Sequence, residues 1–170
     1  MSSRPVWSFR LPLRPDVDPA TVRVLEAVAR DTPPDRADLA TLHPVVAHYL
    51  GDWTRMLQDT ELPPYAGPPV RLSGLGTSSP LLMIEFTQHD DVFAGGGWVM
   101  FLWAYQLTER PKRESVLIGH HAPAERESTG WQEIVAEPTG IRSGEVVVGW
   151  DEIAGEWQRL LDDPGWAGWS

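Results

Sequence analysis

The chain contains no cysteine, which excludes disulfides, thiolate nucleophiles and cysteine-held metal. It also lacks a long apolar run. The longest stretch, Trp98 to Tyr105, is too short to cross a bilayer. The opening MSSRPVWSFRLPLRP alternates apolar and polar residues where a signal peptide would carry a continuous apolar segment, so a cytoplasmic location is the expectation. Basic side chains are scarce: 14 Lys and Arg stand against 24 Asp and Glu, a net charge of −10. Such a field repels nucleic acid and anionic membrane, so neither is expected as a partner.

What is present fits one domain over residues 1–170. Hydrophobic residues make up 42% and charged residues 22% of the chain, close to globular averages. Nine tryptophans accompany four phenylalanines and three tyrosines. Each indole buries a large area but needs a partner for its N–H, so some of the nine are expected at the surface. The acidic excess is uneven: residues 1–57 are neutral, whereas residues 125–170 hold ten acidic and three basic side chains.

Trp7, Phe9, Leu11 and Leu13 alternate with Ser8, Arg10 and Pro12, the period of a half-buried strand. Pro12 donates no hydrogen bond, which places it at a sheet edge or at the strand's end. Asp18-Pro19 reads as a cap and first turn for a helix over 19–30, stopped by Thr32-Pro33-Pro34. Val45/Val46, Tyr49/Leu50, Trp53 and Met56/Leu57 lay one apolar stripe on a second helix, Pro44 to Leu57.

Strands are then predicted at Val70–Leu75, Leu81–Thr87, Trp98–Leu107, Ser115–His121, Trp131–Ala136 and Glu145–Trp150. Of these, Trp98–Leu107 is apolar on both faces and is predicted to be the central strand. Asp151 is expected to cap a last helix reaching Leu161. The predicted fold class is therefore α+β: a mostly antiparallel sheet of five to seven strands, two helices after the first strand, and one C-terminal helix. This order resembles the helix-grip fold, in which a curved sheet wraps a long C-terminal helix and encloses an apolar cavity. The resemblance is one of element order, and the last helix here, at about eleven residues, is shorter than that fold usually has.

Pairing Leu81–Thr87 and Ser115–His121 on either side of Trp98–Leu107 sets Glu85 near Met100 and His121 near Leu102, on one face. A one-residue slip replaces His121 by His120, opposite Trp103 and beside Tyr105. Glu85, Trp103, Tyr105, His120 and His121 are thus the candidate pocket residues, with desolvation raising the carboxyl pKa. The alternative for Glu85 is a place near a sheet edge, solvated or paired with an arginine.

Other clusters read as ordinary structure. His89-Asp90-Asp91 fits a solvated turn, without metal-ligand spacing. Ala94-Gly95-Gly96-Gly97 lacks the following helix that a phosphate loop needs, and Gly74 to Ser79 lacks the Gly-x-Ser-x-Gly elbow. No catalytic set, metal site or cofactor is implied. Trp131, Trp157, Trp166 and Trp169 accompany the acidic C-terminal segment and are the candidate partner-binding residues.

The leading functional reading is a non-enzymatic binding protein, of immunity, inhibitor or adaptor type, that meets a basic protein partner. Its alternative is a carrier or enzyme with an apolar small-molecule pocket on the central strands. A homodimer that hides the C-terminal patch is a third reading.

Overall fold

A computed structural model of the protein describes residues 6–57, 69–77, 80–87, 98–122, 132–163 and 165. The first strand, β1 (Val6–Pro12), shows the expected alternation, with Phe9 and Leu11 buried and Arg10 exposed. Pro12 closes the strand, where its missing N–H leaves no gap in a ladder. Asp18 caps α1 (Pro19–Ala29), its carboxylate accepting from the Ala20 N–H at 2.7 Å. Asp35 does the same for α2 (Arg36–Leu39), a four-residue turn that the sequence pattern did not announce. Next comes α3 (Pro44–Leu57), which buries Val45, Val46 and Leu50. Among the described residues three helices therefore follow β1 where two were expected.

After β2 (Val70–Ser73) and β3 (Leu81–Thr87), the chain departs from the sequence reading. Trp98–Leu107 is a helix, α4, and not the central strand. A continuous apolar run satisfies a buried helix as well as a buried strand, because both are enclosed on every side. The composition decides for the helix: Leu, Met, Ala and Gln favour it, and Val99 is the one β-branched residue. Val99 through Ala104 are all buried, so α4 is a core helix with no polar face over that stretch.

The sheet is completed by β4 (Val116–Ala122), β5 (Gln132–Glu137), β6 (Gly140–Ser143) and β7 (Val146–Gly149). Its order is β2-β3-β1-β4-β5-β6-β7, and every neighbouring pair is antiparallel. The fold is thus a seven-stranded antiparallel α+β sheet, with β1 in the inner position that the sequence assigned to Trp98–Leu107. Because β3 and β4 both run antiparallel to β1, they run parallel to each other. Such a connection needs a long crossover, and α4 supplies it. The C-terminal end of α4 is fixed to the end of β1: Arg14 N–H donates to the Leu107 carbonyl at 2.9 Å and Glu109 N–H to the Pro12 carbonyl at 2.7 Å.

Within β4 the register shifts between Leu117 and Gly119. A Cβ at Gly119 would lie 2.6 Å from the Ser8 carbonyl oxygen, so only glycine lets β4 approach β1 this closely. The sequence reading had a single turn between two strands over 131–150. The structure inserts β6 there, making a three-stranded meander with turns at 138–139 and 144–145.

The last helix is α5 (Trp150–Asp162). Its cap is Gly149, which makes no side-chain cap bond, in place of the expected Asp151. Asp151 and Glu152 sit instead in the first turn, where the helix dipole favours negative charge. The helices contribute to one hydrophobic core with the inward residues of β1, β3 and β5. The layer departs from a helix-grip arrangement, because α4 as well as the C-terminal helix lies on the sheet, with α4 over β1.

Candidate apolar pocket

Strand pairing settles where the predicted pocket residues fall. Across β3, β1 and β4, Glu85 is opposite Ser8 and Ser8 is opposite His120. One residue along, Trp7 is opposite His121. Glu85 and His120 therefore share the face that points away from the helices, and His121 lies on the other. The expected pairing of Glu85 with His121 on one face is corrected by this register. Glu85 is exposed and accepts from Arg71 at 2.8 Å and from the Ser8 hydroxyl at 3.4 Å. It is an ion-paired surface carboxylate near the β2 edge of the sheet.

The helix-facing side is different. Trp7 stacks on His121 with ring centroids 3.8 Å apart, and on Phe9 at 5.9 Å. Phe9 in turn meets Phe101 of α4 at 5.0 Å and Tyr105 at 6.4 Å. Trp7, Phe9, Phe101 and Tyr105 wall one side of a cavity of about 220 Å³. Ile134, Ile141, Val146 and Val148 supply the floor from the β5–β7 meander, and Leu102 and Ile153 close it from α4 and α5. The cavity opens past Val146, which is 65% exposed although it points to the helix side.

Only three lining residues carry a polar side-chain group that could meet a ligand besides the indole: Tyr105, Ser143 and Glu156. Tyr105 is half-buried at the cavity wall, and desolvation by its surroundings pushes its phenol above the ordinary tyrosine range. Among the described residues its hydroxyl has no hydrogen-bond partner. Glu156 stands at the α5 rim, ion-paired with Arg159. No hydrogen bond joins Tyr105, Ser143 and Glu156 among the described residues, so these groups form no nucleophile–base relay. They can orient a bound molecule.

Tyr105 is thus the one predicted pocket residue that lines the cavity, and His121 touches it indirectly, through Trp7. Trp103 is buried in the core, and His120 is on the opposite face of the sheet. Of the predicted partner-binding tryptophans, Trp157 is half-buried and packs against the core. Trp131, Trp166 and Trp169 lie outside the described residues, as do His89-Asp90-Asp91 and Ala94 to Gly97. Among the described residues no group of three or more His, Cys, Asp or Glu could hold a metal ion. No described helix is long and apolar enough to cross a membrane.

The sequence reading missed Trp7, Phe9 and Phe101 as pocket residues. The signal was available for the first two, since their alternation with Ser8 and Arg10 marks one inward face of β1. For Phe101 it was not, because its neighbours are apolar on every side. No protein-family model matches the chain, and no curated protein or solved structure does either.

Proposed function

We propose that this protein binds a small, flat, mostly apolar molecule between the β5–β7 meander and helices α4 and α5. The observation that carries this reading is the cavity itself, about 220 Å³ walled by Trp7, Phe9, Phe101 and Tyr105, with few polar groups in an otherwise apolar lining. The half-buried Tyr105 at the wall offers one hydroxyl that a ligand with a complementary polar atom can meet. Size follows from comparison with an apolar cavity of roughly 150 Å³ that holds benzene. On that scale 220 Å³ accommodates about nine non-hydrogen atoms. Four aromatic rings in the wall favour a planar occupant through stacked and edge contacts.

Indole matches this size, shape and single polar atom. Titration calorimetry with indole should give saturable binding with a negative heat-capacity change, the mark of apolar burial. Filling the cavity by Ile141→Phe should remove binding while the protein stays folded. The proposal fails if indole does not bind, or if the filled variant binds it as well as the parent.

A second reading has its own observation. Asp151, Glu152, Asp162 and Asp163 are all exposed along and just beyond α5, a carboxylate surface suited to a basic protein partner. It predicts one specific protein captured by the parent and lost on D151N/E152Q/D162N/D163N. Identical captures by the two would sink it.

A further inference from the structure

One acidic side chain lines the cavity, and a second acidic residue is the chain neighbour of a lining residue. Glu156 lines it from α5, where it accompanies Asp151, Glu152 and Asp162 against the single basic residue Arg159. From the sheet, Ser143 and Val146 line the cavity and bracket the turn that holds Glu145, which is exposed. Resting on the small-molecule reading above, we propose that the ligand is an aromatic amine, its ring in the cavity and its ammonium group at the Glu156 and Glu145 rim.

The alternative polarities fit less well. A carboxylate-bearing ligand would bring its charge to the same rim, in a chain whose net charge is −10. Like charges at a partly desolvated mouth repel, and that repulsion acts as a filter. Arg159 does not reverse the sign. Its pair with Glu156 is exposed, with Arg159 at 75%, and exposed pairs of this kind hold weakly. A carboxylate has two oxygens with about four acceptor positions, so Glu156 can take an ammonium donor without releasing Arg159. Inside the cavity, the Tyr105 phenol is neutral at pH 7, as an ordinary tyrosine is, and desolvation raises its pKa further, so it adds no charge of its own. The selectivity is therefore located at the rim and the affinity for the ring in the interior.

Three probes that share one ring separate these parts: indole, tryptamine and indole-3-acetate, titrated at low salt and again at 0.5 M salt. The expected order is tryptamine tightest and indole-3-acetate weakest, with a ratio of about tenfold between the two charged probes that shrinks in high salt. Glu156→Gln should narrow the ratio, and Glu156→Gln with Glu145→Gln should bring it close to one. Equal affinity for the two charged probes while indole binds overturns the amine preference and leaves the small-molecule reading standing. So does a ratio that both variants leave unchanged. Failure of all three probes to bind the parent protein overturns both.

Discussion

Beneath α1 and α3, Leu11, Leu13, Val24, Leu25, Leu82 and Ile84 are all essentially inaccessible. Beneath α5, Ile141 is buried but keeps 7% of its surface, Val148 is half-buried and Val146 stands mostly in solvent. The difference follows from how many helices cover how many strands. On one side α1 contacts β2, α3 contacts β3 and α4 lies over β1, close to one helix for each strand. On the other, α5 contacts β7 and α4, and no further described helix covers β4, β5 and β6. Four strand spacings, roughly 19 Å, separate β1 from β7. Two packed helices sit only about 8–10 Å apart. Two helices that touch each other therefore leave a thin cover over the strands between, and the cavity lies there. Close packing and an accessible cavity are consequences of one uneven helix layer.

The largest test of that contrast is a pair of truncations. Leu25→Ala removes a side chain with no exposed surface and leaves a void that the neighbours cannot fill, at a cost of about 2–5 kcal/mol in urea unfolding. Ile141→Ala borders space that is already empty, so it loses fewer contacts and should cost about half as much or less. Equal losses would show that both sides are packed alike.

The meander gives the next effect. A Cβ at Gly140 would run into the Val148 carbonyl oxygen of the paired strand, and one at Gly155 in α5 would meet nothing within 4 Å. Gly140→Ala should therefore destabilise by about 1–3 kcal/mol, through forced backbone movement. Gly155→Ala should stabilise by up to about 1 kcal/mol, through helix propensity. A thermal melt of each variant reads both signs. If Gly140→Ala proves neutral, the β6–β7 pairing described above is wrong.

The contrast itself was only partly legible in the sequence. Alternation in Trp7 to Leu13 marked the inward face of β1, and Asp18-Pro19 marked the start of α1, because each signal is local. The fold class followed from the succession of strands. What escaped was long-range: Trp98–Leu107 is hydrophobic on every side, so its period carries no information, and reading it as the central strand displaced β1 from that position. The site then shifted with it. Glu85 and His121 do flank one strand, but that strand is β1, and a register set by Ser8 and Trp7 sends them to opposite faces. The strand β6 escaped because Gly-Ile-Arg-Ser is too short to show a period.

Alkaline unfolding sharpens the comparison from the side of charge. Burial raises the Tyr105 phenol, and to a lesser depth that of Tyr49 on α3. A folded state that holds its phenolic protons more tightly than the unfolded chain is unaffected below the ordinary tyrosine pKa near 10 and loses stability as pH rises beyond it. The slope is about 1.4 kcal/mol per pH unit for each such tyrosine, up to its folded pKa. Tyr105→Phe should remove one tyrosine's share of that slope, seen as a flatter fall in melting temperature from pH 10 to 11. An unchanged slope would mean that water already reaches the hydroxyl.

The smallest effect is expected at the cavity mouth. Val146 points to the helix side yet is 65% exposed, so it has little to lose when shortened. Val146→Ala should change stability by no more than about 0.5 kcal/mol, the range of surface substitutions. It also widens the opening, so a bound ring should leave faster while the interior that holds it is unchanged. Stopped-flow release of indole is the measurement: a higher off-rate with an unaltered melting temperature places Val146 at the portal. A melting temperature that drops as it does for Leu25→Ala would mean that the mouth is packed shut, and the distinction between the two sides of the helix layer would vanish.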